Sequence, residues 1–348
     1  MSAFINVMEE LVVKSAREQV SYLWADEQQR VKLPEIVAFA LNRLPPLYVT
    51  TQYGWFLQRN YARSKFGDKI FDTVCRAVRA VQFGDPLHDN TPLPESEMNS
   101  GARVLVKLSK MLGKECLLWR DVPNAVVDAL YKRTGDTSLE NLMLKGDRNP
   151  VLSPVQRHTI LDVKSYLQRS RQRDRRCQAL RLDTVDRTQY SDRLVMDYRE
   201  LESYTLKAQL GYSNVLENLV VLVARHLLRN VPPSIVEQLD MAEVAAYALN
   251  RLPPLYATSD RGYQLLSQRA QSELSQEITA QVREAILKVG LSPALTNLPL
   301  TLNKFDREQE VALVELQQIL ERSDITWQNV AEIVENALRK PERSKIAA

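Results

Sequence analysis

The sequence predicts an all-α protein in which one small helical unit occurs twice. Three observations carry that expectation. Glycine is scarce, at 10 of 348 residues, and most apolar runs are broken by polar residues at helical spacing. The octapeptide LNRLPPLY, Leu41 to Tyr48, also returns unchanged as Leu249 to Tyr256, an offset of 208 residues that Pro45/Pro253 and Gly54/Gly262 share.

Taken in order, residues 4–20 read as an amphipathic helix, with Phe4, Val7, Met8, Leu11, Val12 and Ala16 on one face. Its counterpart is Tyr212 to Leu228. A polar connection, Asp26 to Lys32, precedes the motif helix, where Pro34 suits the first helical position in one copy and Asp240 with Glu243 has capping-box spacing in the other. Ile36, Val37, Ala40, Leu41 and Leu44 form its buried face. Pro45 and Pro46 stop the helix, so it is expected to end at Leu44. Thr51 and Ser259 cap a third helix, and a fourth carries Phe66, Ile70, Val74, Ala77 and Val78, matched by Leu274, Ile278, Val282, Ala285 and Ile286.

The period continues beyond this unit. Trp119, Val122, Val126, Ala129 and Leu130 reappear as Trp327, Val330, Val334, Ala337 and Leu338, so each unit has a satellite pair of helices. The expected organisation is a first module at 1–90 and its satellite at 100–133, then a second module at 212–290 with a satellite at 300–341 and a tail at 342–348. Residues 134–211 have no internal copy; they form a connector, helical and rich in arginine from Arg169 to Arg181, with Asp183 to Lys207 as a further amphipathic helix. Acidic interruptions and few aromatics favour a solvated helix there over a nucleic-acid patch.

Net charge is +3, which marks no nucleic-acid binder. Cys75, Cys116 and Cys177 form no CxxC, which points to reduced thiols in an intracellular compartment. The first twenty residues lack the pattern of a signal peptide, and no run reaches the roughly 18–20 apolar residues of a membrane span, so a cytoplasmic location is expected. His88, His158 and His226 have no second ligand at metal spacing, and no nucleophile or phosphate-loop motif occurs. No enzyme activity and no cofactor are expected.

What both copies share is a polar set at the Pro-Pro break: Asn42, Arg43, Tyr48, Thr50 and Thr51, and Asn250, Arg251, Tyr256, Thr258 and Ser259. Two readings stay open. In the structural one, Asn bonds the last helix carbonyls, Arg pairs with Glu35 or Glu243, and Thr51 or Ser259 caps the next helix. In the other the set holds a ligand. Arg43 lies one turn after Phe39 and Arg251 one turn after Tyr247, and a guanidinium beside a ring, hydroxyls and a helix N-terminus can hold phosphates and stack on bases. Gly54 and Gly262 would then admit the ligand to the backbone. Trp55 and Arg59 make a further such pair in the first copy only, since Arg59 corresponds to Ser267.

The order N-x-M-E-x-L-V from Asn6, then A-x-A-L-N-R-L-P-P-x-Y, then Thr or Ser and Gly, resembles the late competence development protein ComFB family. It occurs again from Asn214, with Leu216 in place of Met. The resemblance covers roughly residues 4–82 and 212–290, and the satellites look like an extension of cyanobacterial members. It implies small all-helical modules that pair as dimers, here as an internal pseudo-dimer, possible further homo-oligomerisation, and binding of cyclic di-GMP or cyclic di-AMP in signalling linked to competence, pili or cell size through a protein partner. Cysteines that bind zinc in some members have no equivalent here, so no zinc role is implied. The other expectation is a protein–protein adaptor without a small ligand, docking through Trp119 or Trp327.

Overall fold

A computed structural model describes residues 4–83, 91–94, 100–114, 117–134, 200–229, 231, 239–291, 300 and 303–339. His88, His158, Cys116, Cys177 and the arginines of the connector lie outside the described residues. The chain divides into two compact units. One comprises residues 1–103 and 203–304, and the other 104–202 and 305–348. The units therefore cut across the sequence repeat: both modules belong to the first, and both satellites contribute to the second.

The first module is built from α1 (Val7–Ser21), α2 (Ala25–Arg30), α3 (Leu33–Leu41) and α4 (Gln52–Phe83). α1, α3 and α4 pack mutually around Met8, Val12, Ile36, Val37, Leu41, Ala62, Val74 and Ala77, the apolar stripes expected of amphipathic helices. Four features differ from the sequence expectation. α1 starts at Val7, because Asn6 is its N-cap and accepts from Met8 N at 3.1 Å. The polar connection contains the short helix α2. α3 ends at Leu41 rather than Leu44: the chain tightens there, with Arg43 N donating to Ala40 O and Leu44 N to Leu41 O, both three residues back. Finally, the third and fourth helices are one continuous helix, α4.

Two-residue strands were not anticipated. β1 (Ile5–Asn6) pairs antiparallel with β2 (Tyr48–Val49), which fastens the extended exit from the Pro-Pro break to the entry of α1.

After α5 (Ser100–Met111) and α6 (Val122–Thr134), the described chain resumes in α7, a helix over 200–210. Gly211, at φ 72°, stops α7 in the left-handed conformation that glycine adopts freely, and its N–H bonds Lys207 O. The second module repeats the first: β3 (Ser213–Asn214), α8 (Val215–Leu228), α9 (Met241–Leu249), β4 (Tyr256–Ala257), α10 (Asp260–Glu273) and α11 (Ser275–Leu291). Here the long helix is interrupted at Leu274, so α10 and α11 correspond to α4.

The second unit includes α6, α12 (Asn303–Ile319, from Phe305 on) and α13 (Val330–Arg339). Trp119 is fully buried there, whereas Trp327 keeps 37% of its surface. No helix among the described residues is long and apolar enough to cross a membrane.

Candidate functional site

The two modules complete one another at the Pro-Pro breaks. Asn42 turns its amide toward the second module, where Oδ1 accepts from Tyr256 N at 2.6 Å and Nδ2 donates to Tyr256 O at 3.0 Å. Asn250 does the same for Tyr48, again at 2.6 and 3.0 Å. Each asparagine acts as an extra strand residue that pairs the backbone of the opposite copy. The break supplies the geometry: a helix continued past Asn42 would leave β2 no route across.

The tyrosine side chains follow the same exchange. Tyr256 packs in the core of the first module and Tyr48 in that of the second. Their hydroxyls meet a buried polar set drawn from both N-terminal helices. Tyr48 OH donates to Glu217 Oε1 at 2.8 Å and accepts from Asn214 Nδ2 at 2.9 Å. Tyr256 OH donates to Glu9 Oε1 at 2.7 Å and accepts from Asn6 Nδ2 at 2.9 Å. Asn6 and Asn214 also cap their helices and receive Leu47 N and Leu255 N, so each spends both ends of its amide.

One cation breaks this two-fold pattern. Lys207 of α7 reaches between the carboxylates, with Nζ 2.6 Å from Glu217 Oε1 and 3.3 Å from Glu9 Oε1. Its position lies in the connector, outside the 208-residue repeat. Burial pulls the Lys207 ammonium down, but Glu217 and Glu9 more than reverse this and hold it above the ordinary lysine range. Glu9 is pushed up, chiefly by burial, with Lys207 opposing and Glu217 adding to the shift. Burial and the adjacent carboxylates push the phenols of Tyr48, Tyr256 and Tyr212 well up, so they remain neutral donors.

The family model of late competence development protein ComFB matches residues 5–83 and again residues 213–293. The chain carries two tandem modules of the ComFB family. Among curated proteins, none matches the chain.

The shared polar set divides within these ComFB modules. Asn42, Asn250, Tyr48 and Tyr256 are committed to the contact between modules. Thr51 and Ser259 cap α4 and α10, accepting from Gly54 N at 3.0 Å and Gly262 N at 3.2 Å. A Cβ on Gly54 would lie 2.8 Å from Thr51 Oγ1, so the glycine is explained by its own cap and not by a ligand's approach. Thr50 is half-buried and its carbonyl accepts from Leu300 N; Thr258 is half-buried as well. Trp55 is buried, and Arg59, over its ring at 5.3 Å, forms a bidentate pair with Glu10.

Arg43 and Arg251 remain on the surface. The Arg43 guanidinium lies 3.4 Å from the Phe39 ring centroid, and Nη1 donates to Phe39 O at 2.9 Å. Arg251 repeats this on Tyr247, at 3.4 and 3.0 Å. The expected partner Glu35 pairs with Lys32 instead. Each ComFB module thus presents a flat cation whose plane is set by a ring and a carbonyl.

Sequence reasoning placed Asn6, Asn214, Glu9, Glu217, Tyr212 and Lys207 outside the site. For the first four a signal existed: a polar residue, identical at the 208-residue offset, at the N-cap position (Asn6, Asn214) or in the first turn (Glu9, Glu217) of an otherwise apolar helix start. Lys207 left no such trace, since it has no repeat.

Proposed function

We propose that the protein is a non-enzymatic cytoplasmic receptor for a cyclic dinucleotide, cyclic di-GMP or cyclic di-AMP. Through a protein partner it regulates competence, pili or cell size. The observation that supports this reading is the paired Arg43–Phe39 and Arg251–Tyr247 stacks. A guanidinium has five N–H donors, and the Phe39 or Tyr247 carbonyl occupies one of them, which leaves donors for phosphate or a guanine edge. The ring beneath fixes its plane, so little side-chain freedom is lost on binding. Two such cations, one per module, match the two phosphates of a two-fold messenger. Asn42, Tyr48, Asn250 and Tyr256 contribute indirectly, by fixing how the modules pair. A ligand can switch the protein only if it binds two arrangements with different affinity, and the seam between modules is the element available to shift.

Calorimetry against cyclic di-GMP, cyclic di-AMP and their linear forms tests this. The expected result is micromolar or tighter binding of one cyclic form, lost in the Arg43→Ala, Arg251→Ala double variant. Both arginines are exposed, so the variant should keep its melting temperature. Absence of heat with every cyclic dinucleotide would overturn the proposal. The adaptor reading loses half of its expected docking pair, because Trp119 is core.

A further inference from the structure

Two short segments that follow the modules cross from one copy to the other. The first lies between α4 and α5. In Thr91-Pro92-Leu93-Pro94 both Thr91 and Leu93 precede a proline, which disfavours helix and keeps the chain extended. The prolines bring no N–H that would need a partner, so the segment can run along a surface at little cost. Thr91 and Pro92 are exposed, and Leu93 is buried. Its place is the core of the second module. Among the described residues, Leu93 and Tyr48 are the two buried residues that the first half of the chain contributes there. Thr91 O accepts from the N–H of Asp260, the first residue of α10, at 3.4 Å.

The second segment lies between α11 and α12 and crosses the other way. Leu300 also follows a proline, Pro299, and keeps 3% of its surface. Its N–H donates to Thr50 O at 2.8 Å, directly before Thr51, the cap of α4 in the first module. Each segment thus ends beside the start of the third helix of the opposite module. Leu93 and Leu300 are 207 residues apart, one short of the repeat, so the 208-residue register does not align them.

The crossing decides where the path to each satellite begins. α5 starts at Ser100, shortly after Leu93, and α12 at Asn303, shortly after Leu300. The chain therefore leaves for α5 from the second module, and for α12 from the first. We propose that the two segments are exchanged straps, which route each satellite's influence to the opposite module. A shift of α5 is passed through Leu93 to the start of α10, and a shift of α12 through Leu300 to the start of α4. A strap held by one buried leucine and a backbone hydrogen bond can detach while the helices beneath it stay folded, as local opening requires. The straps share no hydrogen bond with the Asn–Tyr exchange at the seam, and they do not depend on a nucleotide ligand.

Hydrogen exchange of the full-length chain, resolved along the sequence, tests the proposal. Leu93→Ser should quicken exchange about tenfold or more at residues 258–262, while residues 50–54 keep the wild-type rate. Leu300→Ser should do the reverse. Phe305→Ala is the arm at the satellite. Phe305 is fully buried in α12, in the second unit, so its truncation loosens α12 without touching a strap. Exchange should then quicken in α12, at Leu300 and at residues 50–54, and stay unchanged at residues 258–262. Loosening of α12 that stops short of residues 50–54 would overturn the routing. So would strap variants that change neither helix start, change only the module preceding the strap in sequence, or quicken both modules alike.

Discussion

At the scale of single residues, the seam between the modules depends on side chains that replace backbone. Asn250 satisfies both the N–H and the C=O of Tyr48. Alanine there would leave two polar groups of a nearly buried residue without their partner, at a cost of about 1–3 kcal/mol. The loss should appear in the other module: hydrogen exchange of the Asn250→Ala protein is expected to quicken in β2 and at the start of α1. Unchanged exchange in the first module would contradict the exchanged pairing. Glu9 gives a pH signature. Its folded value is raised by burial, so it favours the folded state below the ordinary carboxylate range and loses that contribution as pH rises through the folded value. Wild type should therefore lose stability relative to Glu9→Gln as pH rises, and comparison of urea midpoints at about pH 5 and about pH 8 measures it.

At the scale of elements, the two copies form a controlled comparison on one backbone. α4 runs unbroken where α10 and α11 are interrupted at Leu274, although the capping hydroxyl and the glycine three residues later are common to both. Those caps differ in tightness. A methyl group at Gly54 would press Thr51 Oγ1 at 2.8 Å, against 3.1 Å from Ser259 Oγ at Gly262. Gly54→Ala should displace its cap and forfeit about 1 kcal/mol, which offsets the helix-propensity gain of alanine. Gly262→Ala should retain more of that gain, so its urea midpoint should be the higher of the two. Helix periodicity and proline rules made the helices legible from the residues alone, since those signals are local. The end of α3 at Leu41, the fusion into α4 and the two-residue strands were not legible. The strands depend on hydrogen bonds such as Val7 N to Leu47 O, between residues distant in sequence, whereas the end of α3 turns on the local choice of carbonyls three residues back by Arg43 N and Leu44 N, which helix periodicity does not register.

At the scale of the molecule, the repeat announced two modules, because the 208-residue offset is visible in the residues themselves, while their internal pairing was implied by the family resemblance. Which parts of the motif face the partner module was not visible. Asn42 and Arg43 are adjacent in sequence, yet one turns to the seam and the other to solvent, a distinction that only the tightened end of α3 decides. The candidate ligand set was therefore read as one cluster where the fold makes two. The calorimetric loss in the Arg43→Ala, Arg251→Ala protein therefore tests the solvent-facing pair, and the exchange behaviour of Asn250→Ala tests the seam, so either can fail without the other.

The exchanged tyrosines have a consequence for how the protein works when scarce. Partners that must find one another by diffusion pair in proportion to their abundance, and dilution undoes them. Here both halves of the seam belong to one polypeptide, and a covalent link gives each an effective concentration on the order of millimolar, however few molecules are present. The pairing of Asn42 with Tyr256, and of Asn250 with Tyr48, is therefore a first-order event. The seam thus holds its geometry across wide changes in expression level.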